Sequence, residues 1–189
     1  MLELLHHRLS ALEEEYLEKP VRVLVLRDHT LTLPGGSVEL RKGTEVEIPR
    51  RAARMLQARG VVEIRDEGLK LEDIARIHFS EMETRSPAEI ARLPPDFYMR
   101  AKEYMALVEE RLKSLDPQAF EEKKRAELFL SEIISHRLSL ILRLLQSGVK
   151  LAKVMDKLTP EEQVLYEALS NLLEEWRKRV AGYLEGGEG

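Results

Sequence analysis

The chain reads as an α+β protein, a small β-rich module followed by a larger all-α helical bundle. Three observations predict this order. β-branched residues and turn residues crowd the stretch from Val21 to Arg65. From Leu69 onward apolar residues recur at helical spacing, and proline and glycine fall at the joints. A length of 189 residues suits one domain with a smaller companion, because domains run to roughly 100–200 residues. The expected divisions are 1–66 for an N-terminal helix plus the β-rich module, 67–95 for a short helix and proline-containing linker, and 96–189 for the helical domain.

Residues 1–18 predict a helix, since Leu5, Leu9, Leu12 and Tyr16 fall on one face. Lys19-Pro20 ends it, because proline pushes the preceding residue out of the α region. VRVLVLRD (21–28) predicts a buried strand. Leu33-Pro34-Gly35-Gly36 is turn chemistry, and Ser37–Pro49 predicts two short strands hinged at Lys42-Gly43. RRAARMLQAR (50–59) predicts a short helix with Ala53, Met55 and Leu56 inward and Gly60 ending it in the left-handed region. VVEIR (61–65) closes the module as a strand.

The remainder predicts helices. Leu69–Phe79 is a short one, followed by Ser86-Pro87 and Pro94-Pro95. Asp96 is placed to cap a helix that carries Phe97, Ala101, Tyr104, Val108 and Leu112 on one stripe. Asp116-Pro117 ends that helix and opens the next, over 118–146, about 29 residues or ~43 Å long. Its second half, Phe129–Leu145, is apolar on nearly every face, the pattern of a helix enclosed by its own bundle or by an interface. Gly148 interrupts it and a shorter piece runs over Val149–Lys157. Thr159-Pro160-Glu161-Glu162 supplies a capping box and an N1 proline for a last helix bearing Leu165, Leu169, Leu172, Trp176 and Val180.

Composition excludes several functions. Thirty basic against 34 acidic side chains leave a net charge of −4, which argues against a surface built wholly for a phosphate backbone. With no cysteine there is no disulfide, thiolate zinc site or cysteine nucleophile. The longest apolar run falls short of the ~20 residues of a membrane span, and the acidic N-terminus is unlike a signal peptide. An intracellular protein is expected.

Catalytic motifs are missing. Gly35-Gly36-Ser37 lacks the lysine of a phosphate-binding loop, and the histidines stand in no metal-ligand pattern. No catalytic residue, cofactor or metal is predicted. Asp28-His29 reads as a polar exit from a strand. Arg137, beside His136 in the apolar long helix, predicts an ion pair across a helix interface. Arg41, Lys42, Arg50, Arg51, Arg54 and Arg59 form the candidate nucleic-acid patch, with Arg50, Arg51 and Arg54 expected on the exposed side of the short helix. No aromatic residue interleaves with them, so bases would find no stacking platform.

The ordered set of pieces resembles a subunit of the GINS complex of replicative helicases. The resemblance rests on VELRKGTEVEIPRRAARMLQARGVVEI, then LPPDFYMRAKEYM, ISHRLSLILRL and LTPEEQVLYEALSNLLEEW. It is to the archaeal branch with the β-rich B-domain first and the helical A-domain second. The N-terminal helix over 1–18 departs from the short β start of that pattern. The resemblance implies a non-catalytic scaffold in a hetero-tetramer with the swapped-order GINS partner, bridging the MCM helicase and a Cdc45/RecJ-like protein at the DNA replication fork. It also implies a cytoplasmic, nucleoid-associated protein. Phe97, Tyr98, Ile133, Ile134, Arg137, Leu138, Ile141 and Leu145 are the expected partner-interface residues, with the central helix sharing duty between core and interface. The alternative is a nucleic-acid-binding regulator with a helical dimerisation domain.

Overall fold

A computed structural model describes residues 2–66, 68–147 and 154–181. The chain divides into two compact units, Ala11–Gly68, and Met1–Ser10 together with Leu69–Gly189. The architecture is α+β, a small β-rich region before a larger helical one.

The N-terminal helix α1 spans Leu2–Glu18. β1 (Pro20–Val25), β2 (His29–Leu33), β3 (Gly36–Leu40) and β4 (Glu45–Pro49) follow, then α2 (Arg50–Ala58) and β5 (Val62–Ile64). β1 pairs antiparallel with β4 on one side and β5 on the other, with Val23 opposite both Val46 and Ile64. β2 and β3 form a separate antiparallel hairpin closed at Pro34-Gly35. Val21, Val23 and Val25 point inward while Arg22 faces water, so β1 is buried on one face only. The antiparallel pairing explains this, since such a sheet leaves one side to solvent.

α2 lays Ala52, Ala53 and Leu56 on the inner face of the sheet, where they meet Ile48, Val62 and the three β1 valines. Each fully buried Val, Leu or Ile contributes about 1.5–3 kcal/mol. Gly60 ends the helix at φ 65°, a conformation that costs glycine nothing. Three expectations need correction. His29 opens β2 rather than lying in a strand exit. Met55 is exposed, because the inward row of α2 is set by Ala52, Ala53 and Leu56 and leaves it on the flank. Arg50 is buried, its guanidinium 4.7 Å from the centroid of the Tyr16 ring and paired with Asp66.

The helical unit comprises α3 (Leu71–Glu83), a 3-10 turn (Pro87–Glu89), α4 (Phe97–Lys113), α5 (Pro117–Ser147), a second 3-10 turn (Met155–Lys157) and α6 (Pro160–Ala181). The expected break at Gly148 and most of the piece after it lie outside the described residues. Ile74 from α3, Phe97, Tyr104 and Val108 from α4, and Ala126 and Ile133 from α5 make one core. Ile90, Leu140, Ile141, Leu144, Val154 and Leu158 make a second, beside the start of α6.

Side-chain polar contacts set the helix ends. Thr159 and Glu162 close a reciprocal capping box, the Thr159 N–H donating to Glu162 at 2.9 Å and the Glu162 N–H to Thr159 Oγ1 at 3.3 Å. Asp96 precedes α4 but lies in the left-handed region at φ 56° and makes no side-chain cap bond. The backbone closes that turn instead, with the Phe97 N–H on the Pro94 carbonyl at 3.2 Å. Between α4 and α5, Arg111 holds Asp116 at 2.7 Å and Glu122 at 2.6 Å. Within the same unit Arg8 reaches Glu167 of α6 at 2.6 Å.

Candidate assembly interface

The helical unit is organised around a buried arginine. Arg137 stands in the second half of α5 and is 1% exposed. Its Nε donates to Glu162 Oε1 at 2.8 Å and its Nη2 to Oε2 at 2.6 Å, a bidentate pair. Nη1 donates to the Ala91 carbonyl at 2.7 Å and approaches Glu81 at 3.4 Å, while Nη2 lies 3.3 Å from the Lys157 carbonyl. One side chain thereby fastens α5 to the ends of α3 and α6 and to the segments before α4 and α6.

Glu162 is equally committed. Besides the arginine, it accepts from the Tyr98 hydroxyl at 2.7 Å and from the Thr159 N–H at 2.9 Å. Burial and the neighbouring Glu162 carboxylate push the Tyr98 phenol far above its ordinary value, so it keeps the proton that it donates to Glu162. Burial also raises Glu81, against the lowering pull of Arg137. Burial opposes the charge on Arg137, but the hydrogen bonds and charge of Glu162 outweigh it and the guanidinium is held ionised. Two carboxylates share one guanidinium there, and burial at Glu81 works against its ionised form.

Around this node the helices keep apolar side chains in water. On α5, Ile134, Leu138 and Leu142 recur every fourth residue and are exposed. On α6, Leu172, Trp176 and Val180 do the same, the tryptophan 58% exposed. Scattered exposed leucines are ordinary, whereas these form rows at helical spacing.

Residues 68–181 match the family model of the Sld5 GINS complex protein helical bundle domain, more than half of the chain. The chain belongs to this family. None of the curated proteins matches it. The GINS bundle match takes in α3 through α6 and hence every residue of the Arg137 node.

Within the GINS bundle, burial separates the residues that sequence grouped as one interface. Phe97, Ile133, Arg137 and Ile141 are buried in their own chain, Tyr98 and Leu145 are half-buried, and Ile134 and Leu138 face water. Phe97 packs edge-on against Tyr98 at 5.4 Å between ring centroids. Sequence reasoning named neither Glu81 nor Glu162 as the partner of Arg137. The capping-box position of Glu162 was a usable signal, because a helix-start carboxylate beside an apolar helix is already desolvated. Glu81 carried no such mark.

The six basic residues do not act as one group. Arg41, Lys42, Arg51, Arg54 and Arg59 are exposed, but Arg50 is not. Arg51 lies against Glu14 and Glu18 of α1, and the Glu18 hydrogen bond raises its pKa first, followed by the Glu14 charge. Among the described residues no group of three or more His, Asp or Glu could hold a metal ion. No described helix is long and apolar enough to cross a membrane.

Proposed function

We propose that the chain is a non-catalytic subunit of the GINS complex, with the β-rich B-domain (1–66) first, a joining segment (67–95), and the helical A-domain (96–189) second. It assembles as a hetero-tetramer with the swapped-order GINS partner and scaffolds the MCM helicase and a Cdc45/RecJ-like protein at the replication fork. The archaeal branch and a cytoplasmic, nucleoid-associated location belong to the same reading.

The observation that carries it is the coincidence of the GINS bundle match with two uncovered apolar rows. A bundle that spends its polar interactions internally, on Arg137 and Glu162, and leaves Leu138, Leu142, Leu172 and Trp176 in water has the character of an assembly subunit. Ile134 and Leu138 are the parts of the expected interface free to meet a partner. Phe97, Ile133, Arg137, Ile141 and, in part, Tyr98 and Leu145 shape the surface from behind.

The test is co-expression with the swapped-order subunit from the same genome, followed by light scattering on the purified complex. A two-plus-two tetramer that retains MCM on a column is the expected result. A chain that stays monomeric beside its partner would overturn the reading.

A further inference from the structure

We propose that one end of the β-rich unit is a phosphate-backbone contact for nucleic acid, formed by Arg27, Arg41, Lys42 and Arg59. The proposal rests on that unit alone and stands apart from the assembly role of the helices. Three turns meet there. The N–H groups of Leu26 and Arg27 both donate to the Val61 carbonyl, at 2.8 and 3.2 Å, which joins the turn after β1 to the turn after α2. On the other flank the Lys42 N–H donates to Asp28 Oδ1 at 2.6 Å and the Gly43 N–H to the Val25 carbonyl at 2.8 Å. That brings in the turn between β3 and β4.

Arg27 therefore stands between the other two turns. Its Nη2 lies 3.9 Å from where a Cβ on Gly60 would be, so the side chain reaches over the turn that Arg59 begins. All four cations are exposed. Four carboxylates border these turns: Asp28, engaged by the Lys42 backbone, Glu39, 3.4 Å from Arg41, Glu45, which opens β4 directly after the turn, and Glu63, held by Arg65 at 2.9 Å. With Glu63 spent on Arg65, four cations face three carboxylates, an excess of one positive charge on an otherwise acidic chain.

The occupant follows from what the turns lack. Leu26 is their one exposed large apolar side chain, too little for the apolar centre that a protein interface needs. No aromatic residue is present in them to stack a base. What remains is a set of guanidinium forks and an ammonium on separate turns, suited to successive phosphates and indifferent to sequence. The site differs from the set that sequence alone offered. Arg50 and Arg51 are occupied by acidic partners, while Arg27 joins Arg41, Lys42 and Arg59 through the turns.

The experiment is fluorescence anisotropy of labelled oligothymidylate with the full chain, from about 50 to 200 mM salt. Four phosphate contacts give a slope of log affinity against log salt of about −3 on a single strand. R27E and R59E together should cut affinity at least about tenfold and flatten that slope by about half. R41A/K42A gives an independent reading, and circular dichroism melts verify that each variant is folded. R76E, on α3 of the other unit, removes the same kind of charge and should leave affinity unchanged. Three results would overturn the proposal: no salt-dependent binding, equal loss in R27E/R59E and R76E, or capture of polyglutamate in preference to oligothymidylate. The last would assign the patch to an acidic protein partner.

Discussion

Arg137 and Glu162 meet fork to fork, 25 positions apart in sequence, at 2.8 and 2.6 Å. Both are almost wholly buried, so neither charge has water to fall back on. Truncating one partner leaves the other charged in a dry interior, which costs about 3–5 kcal/mol. Arg137→Ala should therefore lower the urea midpoint of the isolated chain steeply. Arg137→Lys should recover part of the loss, since an ammonium keeps the charge but cannot span both carboxylate oxygens. The same substitution at Arg76, which is exposed, should change stability by less than about 0.5 kcal/mol.

Glu81 should make stability fall as pH rises. Its folded pKa lies above the ordinary 4.5, chiefly through burial. In the folded state it therefore keeps its proton to higher pH than in the unfolded chain. Well below pH 4.5 both states are protonated and no penalty exists. As pH climbs from there through the raised folded value, the unfolded chain releases its proton first and stability declines, then levels off. Glu81→Gln keeps an acceptor for Arg137 and removes the titration. Its stability at neutral pH should equal or exceed the parent, and the difference between the two should vanish in acid. Urea unfolding at a series of pH values measures both, and a difference that does not change with pH would sink the assignment.

Local chemistry was legible in the sequence and distant pairing was not. The Thr159–Glu162 capping box needs only four consecutive residues, and it formed as expected. Thr159→Ala should cost about 1 kcal/mol and Thr159→Ser little, read from thermal melts. Arg137 announced that it required a carboxylate, because a cation in an apolar helix has no other way to persist. Which of 34 acidic residues would serve depended on how α3 and α6 pack against α5. β2 was missed for a similar reason. HTLTL has alternating apolar positions but is short, and it becomes a strand by pairing with β3 across Pro34-Gly35. Arg50 looked solvent-facing on the short helix until Tyr16 and Asp66 arrived from either end of the unit.

The candidate interface was legible in kind but not in detail. A helix apolar all round predicted shared duty, yet only packing decides which residues are spent at home. Leu138→Glu and Trp176→Glu should test the division. Each replaces an exposed side chain, so the melting of the isolated chain should move little. Association with the swapped-order subunit should drop by tenfold or more, because an unpaired carboxylate would enter an apolar contact. Titration calorimetry reads the affinity and a melt reads the fold. Unchanged affinity in both variants would place the assembly surface elsewhere on the bundle.

Leu115 supplies the last prediction. It turns the chain between α4 and α5 at φ 59°, in the left-handed region that an L side chain enters at a cost of roughly 1–2 kcal/mol. It is also 87% exposed, so packing within the chain returns almost nothing for that strain. Leu115→Gly removes the steric cost but gives the unfolded chain more freedom, an offset of about 0.5–1 kcal/mol. Leu115→Asn tolerates the conformation with a smaller offset. The expected order of stability is Asn, then Gly, then Leu, within about 1 kcal/mol overall, with Leu115→Ile below all three because β-branching crowds positive φ further. Urea midpoints for the four proteins establish that order. A parent more stable than both the Asn and Gly variants would mean that the turn is not strained.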